Sequence, residues 1–166
     1  EITEPGNGWL QRGELLDEKI KALNKNGETP HIMELGSGSH WLTRGLSEHG
    51  RKFTYECRNL TNISQHPGGD YNIFFVAYEL IEHLQNENEL YQAYLKFNKK
   101  AHYVFISTPL YTYMGGMSVW RDQALGHLRA YTPKEFQKVV RDMFDGYDWV
   151  HYVNADCTQV LVGTRI

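Results

Sequence analysis

Short apolar runs alternate with amphipathic segments along most of the chain. Between residues 9 and 23 apolar side chains recur at helical spacing among charges, which predicts an amphipathic helix that ends at 24–29. The short apolar run at 30–35 precedes a glycine-rich turn and predicts a strand, and residues 42–48 predict the helix after it. The chain therefore begins with a helix followed by a strand, a turn and a second helix.

The same strand and helix signals continue towards the carboxyl end. Further strands are predicted at residues 52–57, 71–78, 101–107 (stopped by Thr108-Pro109), 149–153 and 159–163. Residues 79–97 have helical periodicity. Thr132 and Pro133 have the pattern of an N-cap and first helical residue, with Glu135 in the first turn.

This alternation of strands and helices predicts an α/β fold. Its expected form is an open, mostly parallel sheet with helices on both faces. With 166 residues and no linker or repeat, the chain is expected to form a single domain, 1–166. We divide it into an N-terminal helical segment, 1–29, and a core, 30–166.

Composition narrows the class of partner. The content is 41% hydrophobic and 22% charged, and no stretch approaches the ~20 apolar residues of a membrane helix, so no membrane partner is expected. A net charge of -3 argues against non-specific binding to phosphate backbones, which leaves nucleic acid only through a local patch. The two cysteines, Cys57 and Cys157, lack CxxC spacing and favour a reducing, cytoplasmic location.

A glycine-rich turn follows the first predicted strand. Glu34, Gly36, Ser37 and Gly38 lie where glycine lets the backbone turn tightly and approach a ligand. Such a turn also binds dinucleotides, or is purely structural. The segment resembles the first motif of class I methyltransferases, with His40 where a third glycine often stands. That resemblance implies that the turn holds the methionine part of S-adenosylmethionine.

An acid lies about eighteen residues beyond this turn. Glu56 is expected to end the second strand, near the ~20-residue spacing at which an acid binds ribose hydroxyls in such folds. The alternative is a surface acid at a strand end.

The most specific resemblance lies after the next strand. Tyr78, Glu79, Glu82 and His83 fall in a segment similar to the Glu-x-x-Glu-His signature of many small methyltransferases. Residues 104–109 and 126–136 resemble the family's fifth strand and its His-x-Arg segment, so the resemblance runs from about Ile32 to the end. It implies a Rossmann-like fold and places Tyr78 and Glu79 in the cofactor site.

One region departs from the family. Only about fifteen residues separate Glu56 from Tyr71, where the family has a helix, a third strand and a connection. We therefore expect the sheet to be reduced at its third-strand edge.

Three residues are candidates for proton transfer. His83 and His127, with Glu82 beside them, can act as bases because imidazole titrates near neutrality. The alternative is structural: Glu82 and His83 would cap the start of a helix, and His127 would shape a loop.

A metal site is the second alternative for this segment. Glu79, Glu82 and His83 would share one helical turn, and His127 could complete a divalent-metal site. The pattern resembles the small-RNA 3′-terminal 2′-O-methyltransferases, although small-molecule members with the same signature carry no metal.

The leading function is transfer of a methyl group from S-adenosylmethionine to a small molecule. An RNA 3′ terminus is the more specific alternative acceptor. An aromatic and methionine-rich segment at 111–120 is expected to cover the acceptor or to pack on the domain. The competing functions are a catalytically inactive binding or scaffold protein of the same fold and a nicotinamide-dependent oxidoreductase. The latter does not explain the Glu79–His83 segment.

Overall fold

One mixed sheet of six strands organises the chain in the computed structural model, which describes residues 7–36, 41–60, 72–96, 101–111, 126–153 and 158–166. The strands are β1 (His31–Leu35), β2 (Thr54–Arg58), β3 (Ile73–Tyr78), β4 (Tyr103–Pro109), β5 (Tyr147–Val153) and β6 (Thr158–Arg165). The helices are α1 (Asn7–Lys25), α2 (Trp41–Glu48), α3 (Asn88–Leu95) and α4 (Pro133–Met143), with a 3₁₀ turn at Ile81–His83.

The strand order is β2-β1-β3-β4-β6-β5. Strands β1 to β4 run parallel, whereas β6 is antiparallel to β4 and β5 is antiparallel to β6. The predicted α/β class and mostly parallel sheet are confirmed. Within the described residues β2 pairs only with β1 and forms an edge of the sheet; residues 61–71 lie outside that part of the chain.

Helices cover both faces of the sheet, as predicted. Because successive strand residues point to opposite faces, Phe74 and Val76 pack with Leu16 and Ile20 of α1, and with Leu46 of α2. The neighbouring positions on β3 pack with side chains of α3 and α4 in a second cluster, which includes Phe75, Ala77, Leu90, Phe136 and Phe144. The buried strand β3 is fully apolar for this reason.

Two predicted boundaries are wrong. The helix expected at 79–97 is divided into the 3₁₀ turn and α3, because Leu84 is extended and Asn86 accepts a hydrogen bond from the Asn88 backbone in a turn. Strand β4 continues through Thr108-Pro109, which pair with β6. Proline is tolerated here because it is the last residue of the strand.

The start of α4 is confirmed in detail. The Thr132 side chain accepts a hydrogen bond from the Glu135 backbone, and the Glu135 carboxylate accepts one from the Thr132 backbone. This capping box fixes where α4 begins. The segment just before it, residues 126–131, is held beside the 3₁₀ turn by the hydrogen bond from the Leu128 amide to the Glu82 carbonyl.

Candidate functional site

The candidate site lies where parallel strands β1, β3 and β4 end. Gly36 follows β1 with φ +73°, and its amide donates to the Arg58 carbonyl. A Cβ at this position would lie 3.2 Å from Cδ1 of Leu80. The left-handed conformation favours glycine, and a side chain here would also have to displace the end of the Leu80 side chain by a few tenths of an ångström. Ser37 and Gly38, the rest of the predicted cofactor turn, lie outside the described residues.

Glu34 is buried within β1. Its Oε2 atom accepts a hydrogen bond from the Tyr55 hydroxyl at 2.8 Å. A buried carboxylate requires such a donor, because loss of hydration is otherwise uncompensated. The side chain therefore ties β1 to β2 just below the turn.

Glu56 does not end β2, so that expectation is wrong. The strand continues to Arg58, and the Glu56 carboxylate lies 3.5 Å from Nε2 of His31 and 3.4 Å from Nε of Arg58. The pairing with β1 extends the strand, since Leu35 is opposite Arg58. A ribose contact by Glu56 remains a prediction.

Tyr78 and Glu79 lie at the end of β3. Tyr78 is buried, and its hydroxyl donates to the Arg12 carbonyl at 3.1 Å; burial raises the pKa of Tyr78 well above its usual range. Glu79 has φ +53°, which is rare for a residue with a side chain. Its amide lies 3.0 Å from the Ser107 carbonyl and 3.1 Å from the Ser107 hydroxyl oxygen, which accept its hydrogen. Such strain at a strand end is typical of functional positions.

The Glu79 carboxylate is held by α1. NH1 of Arg12 donates to its Oε1 at 2.9 Å, and the Arg12 side chain is fully buried. Sequence reasoning missed this arginine. A signal was present, because Arg12, Leu16 and Ile20 share the buried face of α1 at four-residue spacing.

Glu82 is a buried carboxyl in the 3₁₀ turn. The Thr108 hydroxyl donates to its Oε2 at 3.0 Å, and its Oε1 has no hydrogen-bond partner among the described residues. Burial, followed by the charge of Glu79, raises the pKa of Glu82 to about 8. The group therefore carries a proton at neutral pH.

His83 and His127 meet beside Glu82. Nε2 of His83 lies 3.7 Å from Oε1 of Glu82, and the two imidazole centroids are 4.7 Å apart in an edge-to-face arrangement. One ligand atom from each of these three residues lies within 4.8 Å of the others. Glu79 precedes the 3₁₀ turn and pairs with Arg12, so the expectation that Glu79, Glu82 and His83 share one helical turn is wrong.

Arg129 fastens the two segments of the site together. Its guanidinium donates to the carbonyls of Ile81, Leu84 and Gln85 at 3.0, 2.6 and 3.1 Å. The Leu128 amide also donates to the Glu82 carbonyl. The predicted His-x-Arg segment therefore places His127 against His83, and the arginine's role was not predicted.

This arrangement suits proton transfer or cation binding. A protonated carboxyl next to two imidazoles offers both an acid and bases within a few ångströms. The same three side chains could ligate a divalent cation after Glu82 loses its proton. The residues singled out at 113–120 lie outside the described part of the chain.

Comparison with solved structures identifies the fold. The chain superposes at a TM-score of 0.61 and 12% identity on the Haloferax volcanii complex of a methyltransferase activator and a protein described as a methyltransferase, covering 93% of this chain and 94% of that one. It also superposes at 0.56 and 11% identity on a SAM-dependent methyltransferase from Aquifex aeolicus, with 94% and 98% coverage. The chain has the fold of class I methyltransferases.

Other solved structures share this methyltransferase fold over only part of their length. A chain of the Pnkp1/Rnl/Hen1 RNA repair complex matches at a TM-score of 0.60 and 19% identity, covering 92% of this chain and 41% of that one. The present chain thus spans less than half of that relative. No protein-family model and no curated protein sequence matches the chain. Among the described residues, no helix is both long and apolar enough to cross a membrane.

Proposed function

We propose that the chain is a methyltransferase that uses S-adenosylmethionine. One observation carries this proposal. The Gly36 turn, the strained Glu79 and the Glu82–His83–His127 group all lie near the carboxyl ends of strands β1, β3 and β4, in a sheet of the methyltransferase type. Ligands of open α/β sheets bind at the carboxyl ends of the strands. Solved structures of this fold include complexes with SAH and with sinefungin.

The residues at the strand ends fit this cofactor. Gly36 turns with a left-handed φ of +73° directly after β1, as a cofactor cradle requires, and Glu34 and Glu79 lie at or beside the ends of the neighbouring strands β1 and β3. In this proposal Gly36, Ser37 and Gly38 hold the methionine part, and Glu34, Glu56, Tyr78 and Glu79 contribute to the surrounding site. When bound, S-adenosylmethionine supplies an activated methyl group.

The chain's own task is then to orient the acceptor and remove its proton. Methyl transfer is an in-line displacement, so alignment contributes most and a base is needed only for a poor nucleophile. His83 or His127 would take the proton from the acceptor's hydroxyl or amine. The acceptor's oxygen or nitrogen would bond to the methyl carbon as the methyl–sulfur bond breaks, with S-adenosylhomocysteine as the leaving group. Glu82, protonated at neutral pH, lies beside His83 without competing as an anion.

The acceptor that we favour is a small molecule in the cytoplasm. Structures of this fold include OxaC with meleagrin or oxaline and LepI with a substrate analogue. A sharper variant, methylation of an RNA 3′ terminus, is favoured by the RNA repair complex and by the three-residue group that fits a divalent metal. In that variant Glu82, His83 and His127 hold the metal, with Glu79 as the fourth candidate ligand.

Calorimetric titration with S-adenosylmethionine, S-adenosylhomocysteine and NAD, with and without manganese, tests the proposal. Micromolar binding of the two sulfur nucleotides alone is expected, and dependence on manganese would favour the RNA variant. Binding of NAD instead would favour the oxidoreductase. Binding of neither, or binding without turnover in an acceptor screen, would favour an inactive scaffold.

A further inference from the structure

One residue of α1 is joined to the end of β3 at two points. The Arg12 carbonyl accepts the Tyr78 hydroxyl at 3.1 Å, and the Arg12 guanidinium donates to Glu79 at 2.9 Å. Tyr78 and Glu79 are both candidate cofactor residues. Helix α1, which lies outside every recognised motif, therefore contacts the cofactor side of the site through consecutive residues.

The Glu79 carboxylate is fixed from both ends. Its backbone is held in a left-handed conformation by the hydrogen bonds to Ser107, and its Oε1 atom is held by Arg12. The Arg12 side chain is fully buried, whereas 18% of the Glu79 side chain is exposed. The ion pair thus connects the interior under α1 to the surface of the crevice.

A buried guanidinium is a costly way to attach a helix. Desolvation opposes burial of the charge, and apolar residues of similar volume often stabilise a fold at least as well. The neighbouring positions on this face of α1, Leu16 and Ile20, are apolar. A rigid, planar guanidinium is, however, well suited to orienting a carboxylate, here through the hydrogen bond from NH1 to Oε1 of Glu79.

We propose that Arg12 is a positioning residue of the cofactor site. It fixes the Glu79 carboxylate for contact with S-adenosylmethionine and so couples cofactor binding to the docking of α1. This inference rests on the proposed function, because it assigns Glu79 a contact with that cofactor.

A second ion pair on α1 provides a matched control. Arg51, in the segment before β2, donates through Nε and NH2 to the two Asp17 oxygens at 2.6 and 3.0 Å. It also attaches α1 to the core, but it lies at the amino end of β2, away from the crevice. Its loss should weaken helix docking without moving Glu79.

The experiment compares the wild type with R12M, R12K, E79Q, R12M/E79Q and R51M. For each we would measure the affinity for S-adenosylhomocysteine by calorimetry and the thermal unfolding midpoint. R12M and E79Q should each weaken binding about tenfold or more, and the double variant should be no weaker than either alone, because both remove the same contact. The affinity of R12K should lie between those of the wild type and R12M. R51M should bind within about twofold of the wild-type affinity, even if its thermal unfolding midpoint is lower.

Amide exchange adds a readout that a merely structural role would not move. Bound S-adenosylhomocysteine should slow exchange in α1 of the wild type and of R51M, but not of R12M.

Several results would overturn the inference. One is that R12M binds S-adenosylhomocysteine as tightly as the wild type does. If R12M does not fold, the same result for R12K would overturn the inference. An R51M defect as large as that of R12M would show that helix docking alone matters. A wild type that binds neither sulfur nucleotide would overturn the proposed function and this inference with it, whereas the first two results leave the function intact.

Discussion

Oε1 of the buried Glu82 carboxyl lies 3.7 Å from Nε2 of His83, whose side chain reaches solvent. The other oxygen of this carboxyl, Oε2, accepts a hydrogen bond from the Thr108 hydroxyl at 3.0 Å. Burial and the nearby charge of Glu79 both raise the pKa of Glu82, so protonation of this carboxyl depends on the charges around it.

The first prediction concerns stability against pH. The folded pKa of Glu82 is about 8, against an ordinary value of 4.5, so between these values the folded state holds a proton that the unfolded state has lost. Its contribution to stability is fully present below about pH 4.5 and is lost as pH rises to about 8. Glu82→Gln removes this titrating group. As pH rises through that window, the free energy of unfolding of the wild type should therefore fall relative to that of the variant, by at most ~1.4 kcal/mol per pH unit.

Urea unfolding of both proteins across the window measures this difference. Glu79, His83 and Arg12 face the same region and are unchanged in both proteins. Asp142→Asn, on the exposed face of α4, is the control and should leave the wild-type slope intact. Parallel stability curves for Glu82→Gln and wild type would contradict the pKa shift.

The second prediction tests the divalent-metal variant. Glu82→Gln and His127→Ala should each weaken manganese binding about tenfold or more, because each removes one of three clustered ligands. His49→Ala removes an exposed histidine after α2 and should bind as the wild type does. Calorimetry with manganese alone gives the readout. Unchanged affinity in both site variants would leave the metal-free, small-molecule reaction as the proposal.

The third prediction separates backbone strain from loss of the cofactor cradle. Gly36 and Gly50 both have left-handed φ values, +73° and +69°, but only at Gly36 would a Cβ meet another side chain within 4 Å. Gly36→Val should abolish binding of S-adenosylhomocysteine. Gly50→Val should lower the free energy of unfolding by about 1 kcal/mol or more but leave that binding intact. Equal nucleotide affinity in the two folded variants would remove Gly36 from the site.

The fourth prediction uses a second pair of glycines to test packing at the antiparallel edge of the sheet. A Cβ at Gly163 of β6 would lie 2.8 Å from the Trp149 ring on β5, whereas a Cβ at Gly45 of α2 would meet nothing within 4 Å. Gly163→Ala should destabilise the fold by about 1–3 kcal/mol through overpacking, and Gly45→Ala should stabilise it by about 0.5–1 kcal/mol. Denaturant unfolding distinguishes them, and a neutral Gly163→Ala would show that Trp149 can move aside.

The sequence predicted the elements whose signals are local. The apolar run of β3 is enough to predict a strand, because a strand buried on both faces needs apolar residues throughout. Thr132 is enough to predict the start of α4, because an N-cap needs a side chain that accepts a hydrogen bond. The break after His83 was missed, since Leu84 and Leu90 continue a helical pattern although an Asn86 turn interrupts the helix.

Contacts between distant segments were harder to predict. Glu82, His83 and His127 were chosen from a motif, and the structure brings all three together. The roles of Arg12 and Arg129 were not predicted, because their partners lie 67 and about 45 residues away. The helical spacing of Arg12 indicates only that it is buried, and the His-x-Arg segment does not indicate which carbonyls Arg129 binds. The extent of β2 depends on its pairing with β1, which is why Glu56 was expected to end a strand that continues to Arg58.

The bond between Nδ1 of His83 and the Gly126 carbonyl, 3.0 Å long, has a consequence for the imidazole itself. A carbonyl only accepts, so Nδ1 must carry the hydrogen, and neutral His83 is confined to one tautomer. Its lone pair is then on Nε2, the nitrogen that faces Glu82. The loop that brings His127 into place thus also determines which nitrogen of His83 is basic.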